Sequence, residues 1–204
     1  MSFEAYILRY NDVTHTIRVI TIQLPKDKMF DFVPGQYIRL EIDGEDPRYF
    51  SIASAPRANN TIDIHVRNSG QNLSYRLCHN IQLGEKLSIS HPMGSLCMHE
   101  TDAPVVFIAG GTGITPFLAM LEANPNKPVT LYWGMQSEYE FYIRPHRQGL
   151  AVHYCVETYP VDDFLKDRIE GAHIYLSGPP AMVKDSRVKL LAAGVEPSNI
   201  HHDE

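Results

Sequence analysis

Val105-Val106-Phe107-Ile108-Ala109-Gly110-Gly111-Thr112-Gly113-Ile114-Thr115-Pro116-Phe117-Leu118-Ala119-Met120-Leu121 is the stretch to which the rest of the chain can be referred. It opens as an unbroken apolar run, short enough for a strand buried on both faces. Gly110, Gly111 and Gly113 follow, and then Phe117, Leu118, Met120 and Leu121 give a broad apolar face to a helix with Pro116 in its first turn. Strand, glycine turn and helix bring backbone N–H groups to a helix N-terminus, where a phosphate can be held. The spacing is neither the G-x-G-x-x-G fingerprint nor a P-loop with its Lys-Ser/Thr. Taken alone it also describes a tight strand-to-helix turn that merely needs small residues.

Downstream the same alternation continues. Val129–Trp133, Ala151–Val156 and His173–Ser177 read as strands. Thr115–Ala123 and Ala181–Ala193 read as helices, and Glu138–Arg144 and Val161–Arg168 as weaker ones. Strands alternating with helices predict a parallel sheet covered on both faces. Upstream the rhythm is different. Ala5–Tyr10, Thr16–Leu24, Tyr37–Ile42, Arg48–Ser54, Thr61–Arg67 and Lys86–Ser90 are short and β-branched or alternating, with turn residues between them, as in Pro25-Lys26-Asp27; Gln71–His79 is the one helical segment. That spacing predicts a six-stranded antiparallel barrel. The polar stretch from Met98 to Pro104 separates the halves, giving domains 1–99 and 100–204.

Composition excludes several functions. A net charge of −6 argues against nucleic acid and anionic membrane surfaces. No apolar run reaches the ~20 residues of a membrane helix, and Met1–Tyr6 has no basic region before an apolar one, so no signal peptide is expected and the location is cytoplasmic. Cys78, Cys97 and Cys155 are isolated, which suits a reducing compartment and is too few for a four-cysteine iron–sulfur centre within these residues. The histidines have no closed metal-site spacing, so no metal is expected. No nucleophile elbow with its triad appears, which argues against hydrolysis.

Arg48-Tyr49-Phe50-Ser51 offers a forked cation for phosphate, a flat apolar ring and a hydroxyl. Period 2 sends Arg48 and Phe50 to one face of a strand and Tyr49 and Ser51 to the other. The motif is followed, in order, by Gly70-Gln71-Asn72-Leu73-Ser74, Pro92-Met93-Gly94-Ser95-Leu96, the glycine turn, Leu131-Tyr132-Trp133-Gly134 and Tyr175-Leu176-Ser177-Gly178-Pro179-Pro180-Ala181-Met182. This ordered series, spanning about Ala5 to Glu204, resembles the ferredoxin–NADP reductase superfamily, most closely its flavin reductase branch.

The resemblance implies a flavin-binding barrel, a nicotinamide-nucleotide domain, and a flavin in the cleft between them. Arg48 would hold flavin phosphate, with Gly70 and Ser74 at the start of the small helix. Tyr49, Phe50, Ser51 and Ile52 would line the flavin, Ser51 near ring nitrogen N5, with His65, Val66 and Arg67 on the next strand. Gly111, Thr112 and Gly113 would cradle the dinucleotide pyrophosphate, with Thr115, Pro116 and Gly134 close by. Gly178, Pro179 and Met182 would shape the nicotinamide end, and Ser51 and Ser177 would be the catalytic pair. There are three departures: Phe50 stands where Tyr is common, as it often does in flavin reductases; Ser177 stands where many relatives have Cys; and the chain stops at His201-His202-Asp203-Glu204 without the aromatic that stacks on the flavin in many relatives, the last two bearing on the efficiency and cofactor selectivity of hydride transfer.

The implied activity is NAD(P)H-dependent flavin reduction. Free FMN, FAD or riboflavin would be the exchanging acceptor; the alternative is a bound FAD that passes electrons to a separate iron–sulfur protein or oxygenase. A non-catalytic flavin-binding regulatory subunit is the reading from another class. Because no Arg or Lys follows Gly134 before Arg144, NADH is the expected donor. The missing aromatic leads one to expect loosely held flavin.

Overall fold

The computed structural model describes residues 2–25, 30–70 and 72–203. The Lys26-Asp27 turn, the first position of the small helix at Gln71, and Glu204 lie outside them. The upstream half is a six-stranded antiparallel sheet of β1 (Ser2–Asp12), β2 (Ile17–Gln23), β3 (Tyr37–Glu41), β4 (Arg48–Ser51), β5 (Thr61–Arg67) and β6 (Lys86–Ser90), in the order β4-β3-β6-β1-β2-β5. Alternation along each strand turns Ala5, Ile7, Ile20, Ile22, Ile38, Leu40, Ile62, Ile64 and Ile89 into one core. The edge strands approach each other where the Ala53 N–H donates to the Asp63 carbonyl at 2.7 Å, so the sheet curls into a near-barrel. That crossing also explains why β4 stops at Ser51 rather than Ser54: the chain leaves β3 to meet β5. Helix α1 (Asn72–His79) buries Leu73, Leu77 and Cys78 on this core.

The downstream half is a five-stranded parallel sheet of β7 (Val105–Gly110), β8 (Val129–Met135), β9 (Leu150–Val156), β10 (His173–Ser177) and β11 (Ile200–His201), in the order β11-β10-β7-β8-β9. All of β7 is buried. Val105, Phe107 and Ala109 face α2 (Thr115–Ala123), and Val106 and Ile108 face the side of α3 (Pro160–Asp167) and α4 (Pro180–Ala192). Each large side chain so enclosed contributes roughly 1.5–3 kcal/mol, which is why this strand is central. Strand order reverses between β7 and β10, and in such sheets the crevice outside the strands' carboxyl ends at that point is where ligands bind.

Two expectations need correction. Glu138–Arg144 is not a helix: a 3-10 turn covers Glu138–Glu140 and the chain then runs irregularly into β9. Phe141, Tyr142 and Ile143 all reach the core beneath β8, whereas helical geometry would splay consecutive residues by ~100°. Pro145 further disfavours helix at Arg144. The short β11 has no counterpart in the sequence reading, since two residues carry no periodicity. Among the described residues no helix is long and apolar enough to cross a membrane.

Candidate functional site

The turn after β7 is built by side chains far away in sequence. Trp133, fully buried in β8, donates its Nε1–H to the Gly111 carbonyl at 2.8 Å. Gly111 itself has φ +59°, a left-handed conformation that favours glycine. A 3-10 turn, Gly111–Ile114, leads into α2, and the Thr115 hydroxyl donates to the Thr112 carbonyl at 2.9 Å. Gly113 serves another purpose: a β-carbon there would lie 2.5 Å from both Gly178 Cα and the Ser177 carbonyl oxygen. Its lack of a side chain lets the turn lie against the β10–α4 loop, so of the glycines expected to cradle phosphate it is Gly111 that has room beside it, its one near neighbour being the Arg67 guanidinium at 4.0 Å.

A cavity of about 510 Å³ opens along this edge, lined by Gly110 at the end of β7 and Gly111 just after it, Gly134 and Met135 at the end of β8, Glu157 and Thr158 after β9, Pro179 just before α4 and Met182 within it. Gly134 admits the Pro160 ring, which a β-carbon would meet at 2.6 Å. Arg67 reaches this cavity from β5 of the other sheet. It pairs with Glu140, Nη2 to Oε2 at 3.6 Å. Among the described residues lining the cavity it is the one cation, against carboxylates at Glu140 and Glu157.

A second cavity of about 450 Å³ brings the two predicted catalytic serines together. Ser51 comes from the end of β4 and Ser177 from the end of β10, with Tyr37, Tyr49, Gly178 and Asp203 beside them and Pro116 on the wall. Met93, Leu96, Leu176 and Val183 supply apolar lining. Tyr49 is 63% exposed and its ring meets Tyr37 edge-on at 5.8 Å. The alternation read from the tetrapeptide holds: Tyr49 shares this cavity with Ser51, while Phe50 packs on the barrel core.

Arg48 and Ser74, distant in sequence, meet: Arg48 Nη1 donates to Ser74 Oγ at 3.3 Å. The Asn72 side chain accepts from the Ser74 N–H at 3.2 Å, capping α1. The Gly70 N–H is already donated to the Asn68 side chain at 2.8 Å.

Three expected flavin contacts are otherwise employed. The side chains of Ile52 and Val66 are fully buried in the barrel core, so either could offer a ligand only backbone. The Val66 carbonyl, in turn, accepts from the Cys78 thiol at 3.7 Å. His65 faces Tyr142 of the β8–β9 connection, Nδ1 to the phenol oxygen at 2.9 Å. Burial pushes the His65 pKa down to about 4 and raises that of Tyr142, so both are neutral at pH 7. The pair is a strut between the two sheets.

Sequence reasoning missed Glu140, Glu157, Tyr142 and Asp203. The rule that ligands meet the carboxyl ends of parallel strands would have drawn attention to Glu157. Asp203 follows β11, and its Oδ1 accepts from the backbone N–H groups of Ser95 (2.7 Å) and Leu96 (3.0 Å). No local pattern announces either link.

Residues 4–97 match the oxidoreductase FAD-binding domain family, and residues 107–157 the oxidoreductase NAD-binding domain family. The chain is 36% identical over 154 residues to a CDP-6-deoxy-L-threo-D-glycero-4-hexulose-3-dehydrase reductase of Yersinia pseudotuberculosis, covering 73% of this chain and 46% of that protein. It is 42% identical over 117 residues to the anthranilate 1,2-dioxygenase electron transfer component of Acinetobacter baylyi, covering 54% and 34%. The chain thus spans about half the length, or less, of these curated relatives. In fold it follows the ferredoxin reductase in carbazole 1,9a-dioxygenase, with a TM-score of 0.88 at 23% identity over 100% of this chain and 69% of that one.

Proposed function

Since the chain belongs to the ferredoxin–NADP reductase superfamily, we propose that it is the flavin- and nicotinamide-binding part of an NAD(P)H-dependent oxidoreductase. It takes hydride from a nicotinamide cofactor onto FAD and passes the electrons to a separate acceptor. Of the two acceptors weighed from the sequence, free flavin and a partner protein, the names of the relatives support the partner. With Cys78, Cys97 and Cys155 as its only cysteines, the chain leaves any four-cysteine iron–sulfur carrier to lie outside these residues. The isolated cysteines, all free, support a cytoplasmic location.

The observation that carries this reading is the convergence of Ser51 and Ser177, one from each sheet, on a single cavity at the strand-order reversal. The residues present fit the cofactors: an Arg48–Ser74 pair suited to phosphate oxygens, a left-handed glycine open to solvent at a helix start, and an adjoining cavity with one cation. Bound FAD would supply the ring that accepts hydride and releases electrons one at a time. The chain's own groups bind and orient. The Arg48 guanidinium and Ser74 hydroxyl hold flavin phosphate. Ser51 directs a hydroxyl at a ring heteroatom, and Gly111 and Arg67 hold the dinucleotide pyrophosphate. Gly178 and Ser177 bound the nicotinamide side, and Met93, Leu96, Leu176 and Val183 exclude water.

The test is to load the chain with FAD and add NADH anaerobically, following flavin absorbance, then add a one-electron acceptor such as ferricyanide. Bleaching by NADH and turnover with the acceptor are expected. Arg48→Ala should weaken FAD and FMN about ten- to a hundredfold relative to riboflavin, the loss of one charge-assisted contact. Failure of NADH to bleach bound FAD would favour the regulatory subunit. Turnover that requires a continuous excess of free flavin would favour flavin as substrate.

A further inference from the structure

Outside the cofactor cleft, three histidines from distant parts of the chain meet beside β11: His99 of the connection between the sheets, His173 at the start of β10, and His201. His173 Nδ1 and His201 Nε2 are 2.9 Å apart, in rings inclined by 5°. The His99 ring centroid is 4.5 Å from that of His201, and the Tyr175 centroid 4.6 Å. A hydrogen bond between two imidazoles needs one N–H and one bare nitrogen. The donor ring can take a further proton on its far side, but a proton on the accepting nitrogen would point two N–H groups at each other. Burial, then His99 and His173, push His201 down to about 4.

The titratable groups facing His201 are His99 from the connection, with Cys97 near the Tyr175 hydroxyl, and His173 and Tyr175 from β10. His202 and Asp203 follow its strand, and β7 contributes Val105 and Phe107, which do not titrate. Backbone pairing of β11 is slight, only Ile174 with Ile200 and Tyr175 with His201. Two residues further on, Asp203 holds the Ser95 and Leu96 N–H groups and lines the cavity of Ser51 and Ser177.

We propose that His201, held between the rings of His99 and His173, is a proton-sensitive latch that, when neutral, holds β11 and Asp203 against the connection between the sheets and, when protonated in mild acid, lets them go and opens the serine cavity. A histidine whose pKa is lower latched than free binds its proton better in the released form. The latch is therefore complete above about pH 6.5, the ordinary histidine value, and weakens as pH falls toward 4.

The test follows His201 ring chemical shifts by NMR in the whole chain, together with hydrogen exchange of the Ser95 and Leu96 amides at pH 7.5 and 5.0, corrected for intrinsic exchange. His201 is expected to titrate below about pH 5.5, and the two amides to lose roughly tenfold in protection at pH 5.0 while Phe107 and Ile108 in β7 keep theirs. His201→Gln, which can keep a hydrogen bond to His173 without titrating, should hold its protection at both pH values. Asp203→Asn should retain the pH effect. A His201 midpoint at 6.5 or above, unchanged protection at pH 5.0, or an undiminished pH effect in His201→Gln would each overturn the latch. So would loss of the effect in Asp203→Asn, which would make the Asp203 carboxylate the proton acceptor.

Discussion

Gly113 has no room for a β-carbon, and what forbids it is the protein itself. The nearest atoms, at 2.5 Å, are Gly178 Cα and the Ser177 carbonyl, both backbone, with no flexible side chain to yield. Gly113→Ala is therefore expected to destabilise the chain by about 1–3 kcal/mol, the usual cost of overpacking, read as a lower urea midpoint with no ligand present. Unchanged stability with weaker dinucleotide binding would restore the phosphate role the sequence suggested. Gly110, Gly111 and Gly113 show how far sequence reaches at this scale. That a strand, a tight turn and a helix meet there was legible from composition. That Gly110 makes room for Met182 and Gly113 for Ser177–Gly178, while Gly111 meets only the Arg67 guanidinium, was not, because those neighbours lie more than forty residues away. Ser51 and Ser177, each at a strand end, could be singled out because their surroundings are motifs with a fixed order; that they line one cavity is visible only in the fold.

At the scale of elements, the barrel strands and β7 were readable because hydrophobic period follows burial. The β8–β9 connection was not, since Phe141 and Tyr142 are fixed by Trp133 and His65 rather than by their own spacing: the Trp133 ring meets Phe141 at 5.0 Å and Tyr142 at 5.4 Å, both nearly edge-on. The His65–Tyr142 strut has a measurable signature. The folded pKa of His65 is about 4, below the 6.5 expected when unfolded. Its contribution is therefore whole above pH 6.5 and lost as pH falls toward 4, at a slope near one proton and on the order of 3 kcal/mol in all. Urea titrations at pH 7.5 and 5.5 should show His65→Gln losing less stability on acidification than the parent. Tyr142→Phe, which strands a buried ring nitrogen, should cost about 1–3 kcal/mol already at pH 7.5. Equal acid sensitivity in His65→Gln and the parent would mean that the ring is solvated and the strut is not a buried pair.

The arrangement of the whole molecule gives the dinucleotide a direction. The serine cavity lies where the barrel meets the end of β10 and the start of α2, and the larger cavity extends from Gly111 past the ends of β8 and β9. On the proposed reading, nicotinamide meets flavin at the serines and pyrophosphate lies at Gly111 and Arg67. The adenosine end is then left on the β8–β9 side, where Glu157 stands. A 2′-phosphate there would bring about two negative charges toward a carboxylate. Arg67 is engaged by Glu140 across the cavity, and Arg144, the first cation after Gly134, lies over the Tyr154 ring at 4.6 Å. The preference for NADH inferred from missing basic residues thus gains a positive cause, a carboxylate that repels the extra phosphate. Steady-state kcat/KM should be higher with NADH than with NADPH. Glu157→Gln should raise the NADPH value by about tenfold, or 1.4 kcal/mol, while moving the NADH value little. Glu157→Arg should raise it further, with a gain that shrinks as salt is added. A parent that already favours NADPH would place the adenosine elsewhere in the cleft. So would a Glu157→Gln variant that changes both donors alike, and Arg67 would then have to be the group that meets the 2′-phosphate.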